Sequence, residues 1–66
     1  MEIMIVDEVA AMLRLSKWQV YELARPLTRK GKVREHPLPV LRIDGSVSFI
    51  RKDVEEWIET LRGRVG

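Results

Sequence analysis

Ser16 and Gln19 mark where one helix must begin, and they leave almost no room before it. The S-x-x-Q spacing at residues 16–19 is a capping box. The serine hydroxyl accepts from the backbone N–H three residues on, and the glutamine side chain reaches back to the serine N–H. Val20, Leu23 and Ala24 then stand at i, i+3 and i+4, the spacing of a buried helical stripe. Pro26 removes the next backbone donor and disfavours helical geometry in the residue before it, so the helix runs to about Arg25. Upstream, Val6, Val9, Ala10 and Leu13 repeat at helical spacing, predicting a helix over 6–14. Asp7 and Glu8 put negative charge in its first turn, where the helix dipole favours it. Its start is weakly capped, because Ile5 holds the place a Ser or Thr would prefer. Only Leu15 and Ser16 separate the two helices. Helices joined by so short a turn form a helix-turn-helix candidate.

At about 100° per residue, Trp18, Tyr21, Glu22 and Arg25 fall opposite the Val20 stripe. Two aromatic side chains are thus expected on a face that points away from the core.

The segment PLTRKGKVREHP, residues 26–37, shows no period and is expected as a mobile basic loop. Strands are expected at about 39–43 and 47–50, around the Asp44-Gly45 hairpin signal. A three-residue turn, Asp44-Gly45-Ser46, would set Ile43 opposite Val47 and Leu41 opposite Phe49 and bury all four. Slipping by one residue would mix apolar with polar on each face. Val54, Trp57, Ile58 and Leu61 form the cleanest helical stripe, predicting a helix over 52–61. Asp53 and Arg62 suit its dipole, Gly63 is expected to end it, and 62–66 is expected as a frayed tail. The expected core is Val6, Val9, Ala10, Leu13, Val20, Leu23, Leu41, Ile43, Val47, Phe49, Val54, Trp57, Ile58 and Leu61. The indole N–H of Trp57, the anchor of this core, needs a partner or a view of water.

The chain of 66 residues has room for one domain, 1–66. A domain this small buries only about 60% of the surface its unfolded chain exposes. It contains no cysteine and one histidine, His36, so neither a disulfide nor a thiolate or histidine metal site can staple it, and no cofactor is expected. An enzyme is not expected either. There is no cysteine nucleophile, Ser16 is better used as a cap, and no glycine-rich phosphate loop is present. No apolar run approaches the ~18 residues of a membrane span. The start MEIMIVDE lacks the basic leader and cleavage site of a signal peptide. The reading is a soluble protein in the cytoplasm of a bacterial cell, with no membrane partner and no small-molecule substrate.

Net charge is +2, unevenly spread. Arg14, Lys17, Arg25, Arg29, Lys30, Lys32 and Arg34 face a single acid, Glu22, within residues 14–34. Clustered charge of one sign beside an exposed helix is the footprint of a polyanion partner; a solvated basic loop is the plainer alternative. Glu55, Glu56 and Glu59 occupy the solvent side of the last helix, as a solubilising face or as a docking face for a protein partner.

The ordered set VDEVAAMLRLSKWQVYELAR and LPVLRIDGSVSFIRKDVEEWIE resembles the excisionase-like, MerR-related winged helix-turn-helix domains. The matching residues are Leu15-Ser16, Val20-Tyr21, Leu38-Pro39, Arg42-Ile43, Gly45, Phe49 and Arg51 through Trp57, across nearly the whole chain. The resemblance implies a small α+β fold of helix, helix, β-hairpin wing and helix. It also implies a non-catalytic function: the second helix enters a DNA major groove and the wing touches the backbone or minor groove. Excisionases of this type bind side by side at attachment sites, bend the DNA and direct an integrase toward excision. The partners so implied are double-stranded DNA, an integrase or recombinase, and neighbouring protomers assembled on the DNA from monomers. A small transcription regulator is the alternative; a protein-interaction module without DNA binding is the third reading.

On this reading the residues at the start of the second helix, Ser16, Lys17, Trp18 and Gln19, meet base edges first, with Tyr21, Glu22 and Arg25 further along. Lysine or arginine donates to guanine, glutamine pairs with adenine, and an apolar surface packs on a thymine methyl. Trp18 is assigned that apolar contact and Tyr21 a phosphate. Packing of Trp18 on the loop or wing, or against another protomer, stays open. Arg29, Lys30, Lys32 and Arg34 fit phosphate contacts, which give affinity without sequence information. Arg42 and Ser46 on the wing, and Arg14 and Arg51, are weaker candidates; Arg14 equally suits the end of the first helix.

Overall fold

The computed structural model describes residues 1–65. The order of elements is β1 (Ile3–Met4), α1 (Val6–Leu13), α2 (Lys17–Ala24), β2 (Leu41–Ile43), β3 (Ser46–Ile50) and α3 (Arg51–Val65). The three strands form one antiparallel sheet in the order β1-β3-β2. Three helices around a small antiparallel sheet, with β2 and β3 as the wing, make an α+β winged helix-turn-helix.

The junction of α1 and α2 is as short as the sequence requires. Arg14 ends α1 in the left-handed region at φ 60° and ψ 43°. Its N–H donates to the Ala11 carbonyl and that of Leu15 to the Ala10 carbonyl at 2.9 Å, so the last turn closes on itself. At Ser16, Oγ accepts from the Gln19 N–H at 3.1 Å and Gln19 Oε1 accepts from the Ser16 N–H at 2.9 Å. The Ile5 side chain offers α1 no acceptor, but Glu8 Oε1 accepts from the Ile5 N–H at 2.9 Å, the half of a capping box that an isoleucine permits.

Phe49 on the central strand is fully buried among Val9 and Ala10 of α1, Val20 of α2, Val54 and Trp57 of α3, Met4 of β1, and Leu38. Val6, Leu13, Leu23, Val47 and Ile58 are partly buried against this cluster. Met4 and Leu38 were not expected in the core. Met4 pairs with Phe49 across the sheet, on the same face. Leu38, 1% exposed, is held by its N–H donating to the Leu23 carbonyl at 2.9 Å. The Trp57 indole N–H donates to the His36 carbonyl at 2.8 Å.

The hairpin register differs from the one expected. The pairs are Leu41 with Ser48, Arg42 with Val47 and Ile43 with Ser46, so the turn has two residues, not three. Asp44 at φ 50° and Gly45 at φ 79° both take the positive φ of a type I′ turn, whose twist matches that of the strands it joins. Turn chemistry thus prevails over apolar pairing. Leu41 and Ile43 lie on the outer face with Ser46 and Ser48, Ile43 is 49% exposed, and neither belongs to the core.

Two further expectations are corrected. Helix α3 does not end at Gly63 but runs through it to Val65, and Leu61 on it is 38% exposed. Glycine in a helix costs only about 1 kcal/mol relative to alanine, too little to force a stop. Gly66 lies outside the described residues. Residues 26–37, expected without any regular pairing, carry a short hairpin of their own. Leu27 bridges Val33, Arg34 N–H donates to the Pro26 carbonyl at 2.9 Å, and Thr28 N–H to the Lys32 carbonyl at 2.8 Å. Gly31, at φ 83°, takes the third place of a three-residue loop, Arg29-Lys30-Gly31, where a left-handed residue is needed.

Candidate nucleic-acid interface

The capping box fixes how α2 presents its first turn. Because Ser16 and Gln19 engage each other, Ser16 serves as the cap, and Gln19 keeps its amide NH₂ for an outside acceptor. Lys17, Trp18 and Gln19 are exposed. Trp18 is 54% and Tyr21 44% exposed, on the side of α2 opposite buried Val20. Lys17 lies 3.5 Å from Asp7, a surface pair of small energetic weight. At the other end Arg25 Nη1 donates to Glu22 Oε1 at 3.0 Å, so these two side chains hold each other.

The 26–34 hairpin lies along the flank of α2. The Arg29 guanidinium carbon sits 5.0 Å from the Trp18 ring centroid, within the range of a cation–π contact. Arg34 Nε donates to the Arg25 carbonyl at 3.3 Å, at the last turn of α2. Between helix and hairpin runs an open cleft of about 610 Å³, bordered by Leu15, Trp18, Gln19, Glu22 and Leu23 on one side and by Thr28, Arg29, Lys30, Lys32 and Arg34 on the other. Leu15, Leu23 and Thr28 were not among the expected site residues. Thr28 Oγ1 accepts from the Lys32 N–H at 3.2 Å and so shapes the hairpin tip. The ion pairs at α2 are Lys17 with Asp7 and Arg25 with Glu22, and neither uses a base of the hairpin.

Seven expected site residues thus border one cleft. Lys17 and Tyr21 on α2, and Arg25 at its C-cap, lie outside it. Arg42 and Ser46 are exposed on the wing and do not border it. Arg14 is the residue that terminates α1. Arg51 is bound to Glu2 at 3.4 Å and Glu55 at 3.3 Å, joining the chain start to α3.

A tight two-helix unit with an exposed, capped second helix, followed by a wing and a third helix, defines the winged helix-turn-helix class. A family model described as a helix-turn-helix domain matches residues 4–62, and the chain belongs to this family. No curated protein and no solved structure matches it. Membership in this family supports sequence-specific binding of double-stranded DNA. Among the described residues no helix is long and apolar enough to cross a membrane.

Proposed function

We propose that this protein is a non-catalytic, excisionase-type accessory factor of site-specific recombination. It binds duplex DNA side by side with further copies at attachment sites, bends it, and directs an integrase toward excision. The observation that carries the DNA-binding part is the exposed face of α2 flanked by a hairpin that carries Arg29, Lys30, Lys32 and Arg34. An α-helix with its side chains is about 10–12 Å across, which fits the width of about 12 Å of a B-DNA major groove. In this reading Lys17 and Gln19 meet base edges, Tyr21 a phosphate, Arg29, Lys30, Lys32 and Arg34 the backbone, and Arg42 and Ser46 on the wing a neighbouring strand. The excisionase part rests on the ordered resemblance from Leu15-Ser16 through Arg51–Trp57.

Selection from a random duplex pool at moderate salt tests both parts. Spaced direct repeats are the expected outcome. Enrichment of a single or inverted site would replace the recombination role with transcription regulation. Failure to retain any duplex at low salt would make the exposed α2 face a protein contact.

A further inference from the structure

We infer that the cleft between α2 and the 26–34 hairpin seats one strand of the DNA backbone, with deoxyribose against Trp18 and phosphates on Arg29, Lys30 and Lys32. This rests on the duplex-binding reading above and assigns Trp18 a different task from base readout. Trp18 stands in the first turn of α2 and Arg25 just past its last, about 10 Å apart along the axis. The hairpin starts at Pro26 beside Arg25, yet Arg29 reaches the Trp18 ring. The hairpin therefore borders the same flank of the helix that carries Trp18, Glu22 and Leu23.

The walls differ in chemistry. On the α2 side Leu15, Leu23 and the Trp18 ring are apolar, Gln19 is polar and the Glu22 carboxylate is held by Arg25, whereas the hairpin contributes Arg29, Lys30, Lys32 and Arg34. An apolar peptide would strand the cations, and a lone anion would leave the apolar wall uncovered. A nucleic-acid strand, alternating an apolar sugar with a charged phosphate, matches both. The Arg29 guanidinium, 5.0 Å from the Trp18 ring centroid, offers planar N–H donors that can fork onto a phosphate. Such contacts set register and orientation without reading sequence.

The test uses the duplex that the wild-type protein selects. Trp18→Ala, Trp18→Phe and Arg29→Ala are compared by affinity against salt, by repeat selection, and by hydroxyl-radical cleavage, which attacks exposed deoxyribose. These side chains are exposed, and circular dichroism verifies the fold. Trp18→Ala is expected to weaken matched and mismatched duplexes alike, about tenfold from lost apolar burial. It should unmask a run of sugars on one strand and keep the selected consensus, and Trp18→Phe should restore the protection. Arg29→Ala should make the salt slope shallower by about 0.9. A consensus altered at one base pair with protection intact would make Trp18 a base reader and overturn the inference. Unchanged affinity and footprint would show the cleft empty on DNA. If the wild-type protein retains no duplex, the duplex-binding reading itself falls and takes the inference with it, a result distinct from wild-type binding with inert variants.

Discussion

The indole nitrogen of Trp57 on α3 donates to the backbone carbonyl of His36 at 2.8 Å. One bond thereby joins the last helix to the segment that returns from the basic hairpin. Leu38, two residues on, is pinned to the Leu23 carbonyl. Helix α2, the hairpin and α3 are consequently tied to one core.

Trp57→Phe keeps most of the ring volume but leaves the His36 carbonyl without its donor. The expected loss is about 2 kcal/mol, the cost of an unsatisfied acceptor in a partly buried setting. For a domain of this size that is a fall of about 10 °C in Tm. Urea and thermal denaturation measure it, and a change below about 0.5 kcal/mol, the level of ordinary surface substitutions, would show the bond to be dispensable.

The hairpin register makes a second test. Ile43→Thr is expected to change stability by no more than about 0.5 kcal/mol, because the side chain lies on the outer face. Phe49→Ala should cost about 3–5 kcal/mol as a core truncation. A large loss from Ile43→Thr in denaturation would favour the three-residue turn instead.

Gly63 separates two ideas of how α3 ends. Within the helix, Gly63→Ala should stabilise the protein by up to about 1 kcal/mol, since a Cβ there meets no atom within 4 Å. A left-handed terminal glycine would give the opposite sign. The urea midpoint decides between them.

On DNA, joint replacement Lys30→Ala and Lys32→Ala should make the log–log salt slope shallower by about 1.8, at 0.9 for each lost phosphate contact. Sequence preference should persist. An unaltered slope in binding titrations would make the hairpin a bystander.

What could be read in advance divides along sequence distance. Both ends of α2 were legible because the Ser16–Gln19 box and Pro26 act within a turn. Strand β1 was not, since Ile3-Met4 is too short for a period and pairs with Phe49 and Ile50 far along the chain. Leu38, between Pro37 and Pro39, belongs to no repeat. The three-residue loop expected at 44–46 occurs instead at 29–31, where the T-R-K-G-K run has its glycine in the third place; at 44–45 the positive φ that Asp44-Gly45 adopts overrides apolar pairing of Leu41 and Ile43. The outward face of α2 followed from the helical period. The cleft did not, because it exists only once Arg29 has come back to Trp18.

The excursion from Pro26 to Pro37 leaves the body of the protein after α2 and is anchored on return by Leu38 and His36. Its tip is closed by its own turn, so added residues there cost only slowly growing loop entropy and need not disturb Phe49 or its neighbours. The hairpin is in this sense a replaceable cartridge. Exchanging it for a longer or differently charged turn offers a way to change the charge of the cleft without altering the sequence of α2.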